Sequence, residues 1–372
     1  MRKKVGIIGL GKITQLKHLY NLFNSQNFKI EAICDISEKL VDEVGELYNV
    51  PYRFNNYQEM YELPLDIIMV LTHDHAQPII DSLKAGFDVF TEKPLCWTES
   101  EALEIEHAKK ESGKQVIIGY MKRYMPNYID LKKQIQEMKD KKLINVKTLA
   151  SGTKYRVPMS HKVFKDSRLK TIEVSGNNQT IEKIMTEYGF TKQQAEDYRM
   201  LVELGIHNLN LLIDLFGEPV KIDYADMWSS RKEEPAINSD VFVKSNVSAH
   251  RMLVCILEFQ GGIKCVWEIG AFFDGEQEYI DKITINDLSE ELTIKFPNPF
   301  IRGLPLTFET NRIIDNVPSL SVNTMFLEDC FKSELDNLYL TIDTNSIPRT
   351  PLEEGKRDIN WIKKIIKTIK YE

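Results

Sequence analysis

The chain has 372 residues, of which 42% are hydrophobic and 28% charged, and its formal net charge is −7. This composition is ordinary for a soluble globular protein, and the length predicts two domains. We find no Lys/Arg-dense arm and no apolar run near the roughly 18 residues of a membrane span, so neither nucleic acid nor a membrane is expected as a partner. Five scattered cysteines without a C-x-x-C pair, and no signal-peptide core at the start, favour free thiols and a cytoplasmic location.

The N-terminal stretch has the order strand, glycine turn, helix, strand and acid. A short apolar run predicts a buried strand, and Gly9 and Gly11 follow it at a tight turn. The helix that begins there has an apolar stripe, formed by Ile13, Leu16, Tyr20 and Phe23. Residues 29–34 predict the second strand, which ends at Asp35. Thr14 stands where the fingerprint usually has its third glycine, so we expect a slightly shifted helix.

This order predicts a dinucleotide site, with a glycine turn in some other parallel α/β domain as the alternative. Gly9 permits the turn, and the bare backbone at Gly11 lets a pyrophosphate approach the helix N-terminus. Asp35 can accept hydrogen bonds from both adenosine ribose hydroxyls. A carboxylate repels a 2′-phosphate, so the cofactor is expected to be NAD, with NADP less favoured.

Further strands alternate with helices up to about residue 125. Residues 51–54, 66–71, 88–91 and 115–119 predict four more strands, giving a doubly wound parallel Rossmann sheet. Ligands bind at the carboxyl ends of such strands. The expected cofactor contacts are therefore Gly9, Gly11, Lys12, Ile13, Asp35, Thr72, His73, His75, Glu92, Lys93 and Arg123. His73 and His75 are two apart and not four, so no metal site is expected.

The pattern changes over residues 126–372, which we predict to be a second, α+β domain. Extended runs over 145–157, 220–228, 249–259, 263–273, 279–285 and 291–296 lack regular helical crossovers and favour a mainly antiparallel sheet. Gln260-Gly261-Gly262 predicts a hairpin. We predict a polar, irregular insertion over residues 155–198 and helices over 322–337 and 351–369. The helix over 351–369 is a candidate to pack back on the first domain.

Two segments carry candidate chemistry. Lys93, in Glu92-Lys93-Pro94 at a strand end, can stabilise an alkoxide as hydride leaves, although a lysine beside a proline is more often just surface. Glu203 and His207 are four apart on one helix face, so the carboxylate can orient an imidazole that takes a proton. The alternative is a surface pair or a core histidine. Gly205 between them costs roughly 1 kcal/mol in a helix, which predicts a close neighbour.

Taken together, these motifs resemble the glucose–fructose oxidoreductase/inositol dehydrogenase/rhizopine-catabolism (Gfo/Idh/MocA) family over nearly the whole length. The resemblance rests on Gly9-Leu10-Gly11, His18, Asp35, residues 72–75, Ala85-Gly86, Glu92-Lys93-Pro94-Leu95, Arg123 with Pro126, residues 203–210 and the helix after Thr350-Pro351. It implies an open, mainly antiparallel C-terminal sheet that is used to form a homodimer or homotetramer. It also implies a lysine and a histidine at the reacting carbon.

The chain departs from that family in its second helix motif. Glu203 replaces the usual first aspartate and keeps its charge, whereas Asn210 replaces the second and loses it. Candidate substrate contacts are Tyr124, Tyr155, Arg156, His161 and Asn210.

We predict an NAD-dependent dehydrogenase that oxidises a secondary hydroxyl of a sugar, glycoside or cyclitol, with Lys93, His207 and Glu203 as catalytic residues. The alternatives are an NAD-dependent glycosidase with a transient redox step and a non-catalytic NAD-binding sensor.

Overall fold

A computed structural model describes residues 2–151, 162–229, 251–272 and 279–371. The chain divides into two compact units. The first contains Met1–Tyr124, His161–Lys192 and Cys330–Asn360, and the second contains Met125–Ser160, Gln193–Asp329 and Trp361–Glu372. The first unit includes two stretches that lie beyond residue 125, and the predicted division of the chain into domains at that residue stays a prediction.

The first unit is built on a six-stranded sheet. Its strands are β1 (Lys3–Ile8), β2 (Phe28–Cys34), β3 (Tyr52–Phe54), β4 (Ile67–Val70), β5 (Asp88–Glu92) and β6 (Val116–Gly119). They are all parallel and lie in the order β3-β2-β1-β4-β5-β6, as predicted for a Rossmann sheet. The strand order reverses between β1 and β4, and ligands of open α/β sheets bind at that point.

The second unit is built on an eight-stranded, mainly antiparallel sheet. The strands are β7 (Leu143–Ser151), β8 (Lys221–Ser229), β9 (Arg251–Phe259), β10 (Ile263–Phe272), β11 (Ile280–Asn286), β12 (Glu290–Lys295), β13 (Pro305–Ile314) and β14 (Val317–Phe326). Their order is β14-β13-β12-β11-β7-β10-β9-β8, and the pair β7–β10 is parallel. The predicted hairpin joins β9 to β10 through Gly261 and Gly262, which both have positive φ.

Ten α-helices complete the described part of the chain. They are α1 (Leu19–Phe23), α2 (Glu38–Leu47), α3 (Ala76–Lys84), α4 (Glu99–Ser112), α5 (Tyr128–Glu137), α6 (Leu169–Tyr188), α7 (Lys192–Met200), α8 (Ile206–Phe216), α9 (Leu327–Thr344) and α10 (Leu352–Thr368). None of the helices in the described ranges has the length and apolar character of a membrane span.

Two predicted elements were wrong. The stretch 155–198 contains α6 and α7 within its described residues, so most of it is regular helix. Residues 322–326 belong to β14, and the helix predicted from 322 begins at Leu327. Nearly every residue of β14 is exposed, so the strand lacks the one-sided apolar alternation that identifies a strand in a sequence.

The buried face of the first helix also differs from the predicted apolar stripe. Residues Thr14–His18 form a π-helical turn, in which the N–H of Leu19 bonds to the carbonyl of Thr14. A π turn holds more residues than an α turn and so shifts the phase of the helix. Tyr20 and Phe23 are consequently exposed, while Leu16, Leu19 and Leu22 are buried.

Gly205 lies in a second π-helical turn, Leu201–Gly205, and has the close neighbour predicted for it. A Cβ atom at this position would lie 2.7 Å from Cζ2 of Trp267, whose side chain is fully buried on β10. The helix can therefore approach the sheet closely only because the residue at this point has no side chain.

We predict that Gly205→Ala destabilises the second unit by about 1–3 kcal/mol through overpacking against Trp267. Thermal and urea unfolding would measure this loss. Gly176→Ala is the matched control, because a Cβ at Gly176 in α6 meets no atom within 4 Å.

A Trp267→Phe background should shrink the effect of Gly205→Ala, since the smaller ring lacks the atoms that clash. An unchanged effect in that background would show that Trp267 does not impose the restriction.

Candidate active site

The glycine turn after β1 fits the backbone of a dinucleotide. Gly9 has φ +98°, and a Cβ there would lie 2.7 Å from the carbonyl oxygen of Leu71, so only glycine is tolerated. A Cβ at Gly11, by contrast, would meet nothing within 4 Å, which leaves the backbone open. Lys12 and Ile13 start the helix beside this open position and are half-buried. An open helix N-terminus of this kind is suited to an anion such as a pyrophosphate.

Asp35 lies at the end of β2 and is bonded to the glycine turn. One carboxylate oxygen accepts the N–H of Leu10 at 2.8 Å, and the other accepts the N–H of Ser37 at 2.9 Å. Burial raises the pKa of Asp35 above its usual value, although these N–H bonds oppose the rise. A carboxylate oxygen has two lone pairs, so Asp35 keeps acceptor capacity for ribose hydroxyls.

Glu92, at the end of β5, connects the first helix to the Glu-Lys-Pro turn. Its Oε1 bonds to Nε2 of His18 at 2.7 Å, and its Oε2 accepts the backbone N–H of Lys93 at 3.1 Å. Burial alone would raise the pKa of Glu92, but the bond to His18 and the charges of His18 and Lys93 outweigh it and hold the pKa below its usual value. The carboxylate therefore stays ionised and fixes the backbone from which Lys93 projects.

A second buried carboxyl, Glu334 on α9, lies in the electrostatic field of Glu92. Burial and the negative charge of Glu92 raise the pKa of Glu334 well above its usual value. This raised pKa favours the protonated, neutral form of Glu334 beside the Glu92 carboxylate. The same helix packs Phe331 edge-on against the ring of His18 at 6.0 Å between centroids. Sequence reasoning missed Glu334, because nothing in its local pattern marks a helix that packs on residues so far back in the chain.

The loop after β4 contacts the Glu-Lys-Pro turn directly. His75 is buried, and its Nδ1 bonds to the carbonyl oxygen of Pro94, which follows a cis peptide bond. A carbonyl only accepts, so Nδ1 carries the proton. Exposed His73 lies against the buried ring of Trp97, with 5.3 Å between centroids, and the Thr72 hydroxyl donates to the carbonyl of Asp74. Within the described ranges no group of three potential ligands could hold a metal ion.

Arg123 and Tyr124, at the end of β6, are buried and bonded inside the first unit. Arg123 donates from Nη1 to Glu354 at 2.7 Å, and the Tyr124 hydroxyl shares a 2.7 Å hydrogen bond with the hydroxyl of Thr350. These contacts give both side chains a structural role, so their cofactor and substrate roles stay predictions.

In the second unit, Glu203 and His207 flank Gly205 on the helix that becomes α8. Glu203 forms an ion pair with Arg199, one turn earlier, whose Nε lies 3.4 Å from Glu203 Oε1. The Arg199 side chain is almost fully buried, whereas His207 is half-buried. This ion pair between Arg199 and Glu203 was not predicted. The orientation of His207 by Glu203 stays a prediction.

Asn208, next to His207, fastens this helix to the sheet. Its Nδ2 donates to the hydroxyl of Thr148 at 2.8 Å and to Oδ1 of Asp281 at 2.9 Å, and all three side chains are buried. Thr148 on β7 and Asp281 on β11 are direct partners in the strand register. The only sequence signal for this contact was a polar residue inside an apolar helix. Asn210 is also fully buried in α8.

Three predicted substrate residues, Tyr155, Arg156 and His161, lie outside the described residues.

The buried imidazole of His75 generates a pH-dependent prediction. Burial lowers the pKa of His75, although the bond to Pro94 and the charge of Glu92 oppose this. The unfolded chain then binds a proton at a higher pH than the folded one, so His75 contributes stability above about pH 6.5 that is lost as the pH falls. His75→Asn retains the donor but cannot titrate, so its unfolding free energy should fall less between pH 7 and pH 5.

Urea unfolding of both proteins across this range would measure the difference, with His107→Asn on an exposed helix surface as the control. Parallel pH curves for wild type and His75→Asn would contradict the prediction.

Comparison with known proteins agrees with the fold and with the dinucleotide turn. Residues 3–120 match the Gfo/Idh/MocA model, described as an oxidoreductase family with an NAD-binding Rossmann fold. The chain is 30% identical over 143 residues to an inositol 2-dehydrogenase/D-chiro-inositol 3-dehydrogenase of Lactiplantibacillus plantarum, and 30% identical over 138 residues to an inositol 2-dehydrogenase of Salmonella typhimurium. These matches cover 36% of this chain and 40% and 41% of the relatives, so they span about two fifths of each relative's length.

Solved structures resemble the fold over the full length. A 3-ketoreductase from Actinomadura kijaniata in complex with NADP and TDP-benzene has a TM-score of 0.71 at 14% identity, covering 100% of this chain and 98% of its own. An aldose–aldose oxidoreductase from Caulobacter crescentus complexed with glycerol has a TM-score of 0.72 at 17% identity, covering 99% and 97%. Residues 3–120 therefore match the NAD-binding Rossmann part of the Gfo/Idh/MocA oxidoreductase family, and the solved structures show the same fold over the rest of the chain.

Proposed function

We propose that this protein is an NAD-dependent dehydrogenase that oxidises a secondary hydroxyl of a sugar, glycoside or cyclitol. The observation that carries the proposal is the Glu92 carboxylate, which fixes the backbone of Lys93 at the same edge of the sheet as the open glycine turn. The inositol dehydrogenases that match the Rossmann unit, and the sugar-active enzymes with the same fold, support this class of substrate.

The preference for NAD rests on Asp35. This carboxylate lies at the strand end where the fingerprint places the adenosine ribose, and it would repel a 2′-phosphate. The neighbouring 3-ketoreductase structure contains NADP, so the preference is argued from the residues of this chain alone.

The proposed roles follow from the chemistry of two side chains. The nicotinamide of the bound cofactor supplies the hydride acceptor. The Lys93 ammonium donates a hydrogen bond to the substrate oxygen and stabilises the negative charge that develops there. His207 accepts the hydroxyl proton as general base, and Glu203, fixed by Arg199, orients its ring.

Candidate substrate contacts remain Tyr124, Tyr155, Arg156, His161 and Asn210, and a homodimer or homotetramer remains a prediction for light scattering to test.

Lys93→Met should lower turnover about 100- to 10,000-fold, because it removes the donor to the developing oxyanion. The dissociation constant for NAD should change little, since the turn and Asp35 are untouched. Initial rates on a panel of sugars, glycosides and inositols, followed by NADH absorbance, would measure the loss once the best substrate is found. Lys84→Met, at the exposed end of α3, is the matched control.

Undiminished turnover in Lys93→Met would refute the assigned role. The same assay separates the alternatives. A glycosidase with a transient redox step would release a sugar without accumulating free NADH, and a sensor would bind NAD without turning over any member of the panel.

A further inference from the structure

The segment at residues 162–168 is bonded to the helix that follows the glycine turn. Gln15 on that helix accepts the N–H of Phe164 at 2.9 Å and donates to the carbonyl of Phe164 at 3.1 Å. The same amide nitrogen of Gln15 donates to the carbonyl of Leu10 at 2.8 Å. All these residues belong to the first unit. The segment is therefore held next to the residues that form the dinucleotide turn.

Ser37 brings a second carboxylate next to Asp35. Its backbone N–H donates to Oδ1 of Asp35 at 2.9 Å, and its hydroxyl donates to Oδ2 of Asp166 at 2.7 Å. The hydroxyl oxygen also accepts the N–H of Leu40 and so caps α2, which fixes its rotamer. One residue thus bonds to both carboxylates. Consistent with this closeness, the charge of Asp166 adds to the effect of burial in raising the pKa of Asp35.

Asp166 is itself buried and ionised. Its partner is Arg168, which donates from Nε and Nη2 at 2.8–3.1 Å and from its backbone N–H at 3.0 Å. The guanidinium and the Ser37 hydroxyl hold the pKa of Asp166 well below its usual range. The Arg168 side chain is 71% exposed, so solvent screens its charge more than that of the buried carboxylate. Lys39 lies nearby and donates to the carbonyl of Lys165 at 3.1 Å.

We propose that Asp166 is a cofactor-specificity residue, a second carboxylate beside Asp35 that disfavours the 2′-phosphate of NADP at the adenosine ribose. The inference rests on the proposed NAD function and extends it to a residue supplied by the insertion, more than a hundred positions away from the fingerprint. The 2′-phosphate of NADP carries nearly two negative charges and would lie beside two carboxylates. The ribose hydroxyls of NAD carry no charge.

The competing explanation assigns the specificity to Arg168. If its guanidinium turned from Asp166 to a 2′-phosphate, the bidentate contact would favour NADP. Both explanations predict that Asp166→Asn improves NADP binding, because that change also releases Arg168. The two are separated in an Arg168→Gln background, where only the lost charge of Asp166 remains.

The experiment is isothermal titration calorimetry of nucleotide-free full-length protein with NAD and with NADP. Asp166→Asn should lower the dissociation constant for NADP about tenfold, as expected for one unit charge removed near a phosphate in a partly buried site. The constant for NAD should change by less than about threefold on the same reasoning. The tenfold gain should persist when Asp166→Asn is added to Arg168→Gln.

Two control variants test whether the effect is specific to the charge at Asp166. Asp42→Asn removes a carboxylate from the exposed surface of α2 and should leave both constants unchanged. Asp166→Glu keeps the charge and should keep the wild-type ratio, and Asp166→Ser, which removes the charge, repeats the test if Asp166→Asn does not fold.

An unchanged NADP-to-NAD ratio in Asp166→Asn overturns the inference, as does a gain that disappears in the Arg168→Gln background or a wild type that prefers NADP. Failure of the wild type to bind either nucleotide refutes the proposed function instead.

Discussion

The first unit depends on one buried charge, the carboxylate of Glu92. An ionised group removed from water is costly unless it is paired and hydrogen-bonded. Glu92 meets this requirement with His18 on one oxygen and the N–H of Lys93 on the other. The pairing joins the helix behind the glycine turn to the turn that presents Lys93. Such a buried carboxylate adds little net stability over an apolar side chain, but it does fix geometry, because the loss of a hydrogen-bond partner leaves its charge less compensated. The glycine turn and the candidate catalytic residue Lys93 are thereby held in a fixed relative position.

The second unit fixes its candidate residue by packing and not by charge. His207 follows Gly205, where the helix touches the ring of Trp267, and precedes Asn208, whose amide spans Thr148 and Asp281. A close contact on one side and a satisfied buried polar group on the other leave the helix little freedom to slide over the sheet. The π turn Leu201–Gly205, which contains Glu203 and ends two residues before His207, fits this account, because such turns occur often at functional sites.

The sequence predicted the Rossmann half well for a physical reason. Five of its six strands are largely buried, and several end in marked residues, such as the glycine turn, Asp35 and Glu92, so local pattern and tertiary position agree there. The sequence-based prediction failed for elements whose apolar pattern does not reflect how they are buried. The strand β14 is exposed on both faces and shows no apolar alternation. Among the side chains of α6 that the structure describes, Thr180, Ile181 and Ile184 are buried, which is too few to reveal the helical period. The π turn Thr14–His18 rotates the buried face of the first helix. A regular period of 3.6 residues per turn therefore predicts the wrong buried residues beyond it.

The candidate reactive residues were easier to predict than the residues that position them. Lys93 and His207 belong to short motifs that are contiguous in the chain, whereas the residues that position them come from elsewhere. Glu334 reaches the neighbourhood of Glu92 from α9, and Asp166 reaches Ser37 from the insertion. Such contacts depend on how distant elements pack, and one sequence carries no record of that. Reactive groups must suit the reaction and are recognisable by type, while many different residues can supply a buried partner. Candidate reactive residues can therefore be recognised by type in the chain itself, but the source of their orientation requires coordinates.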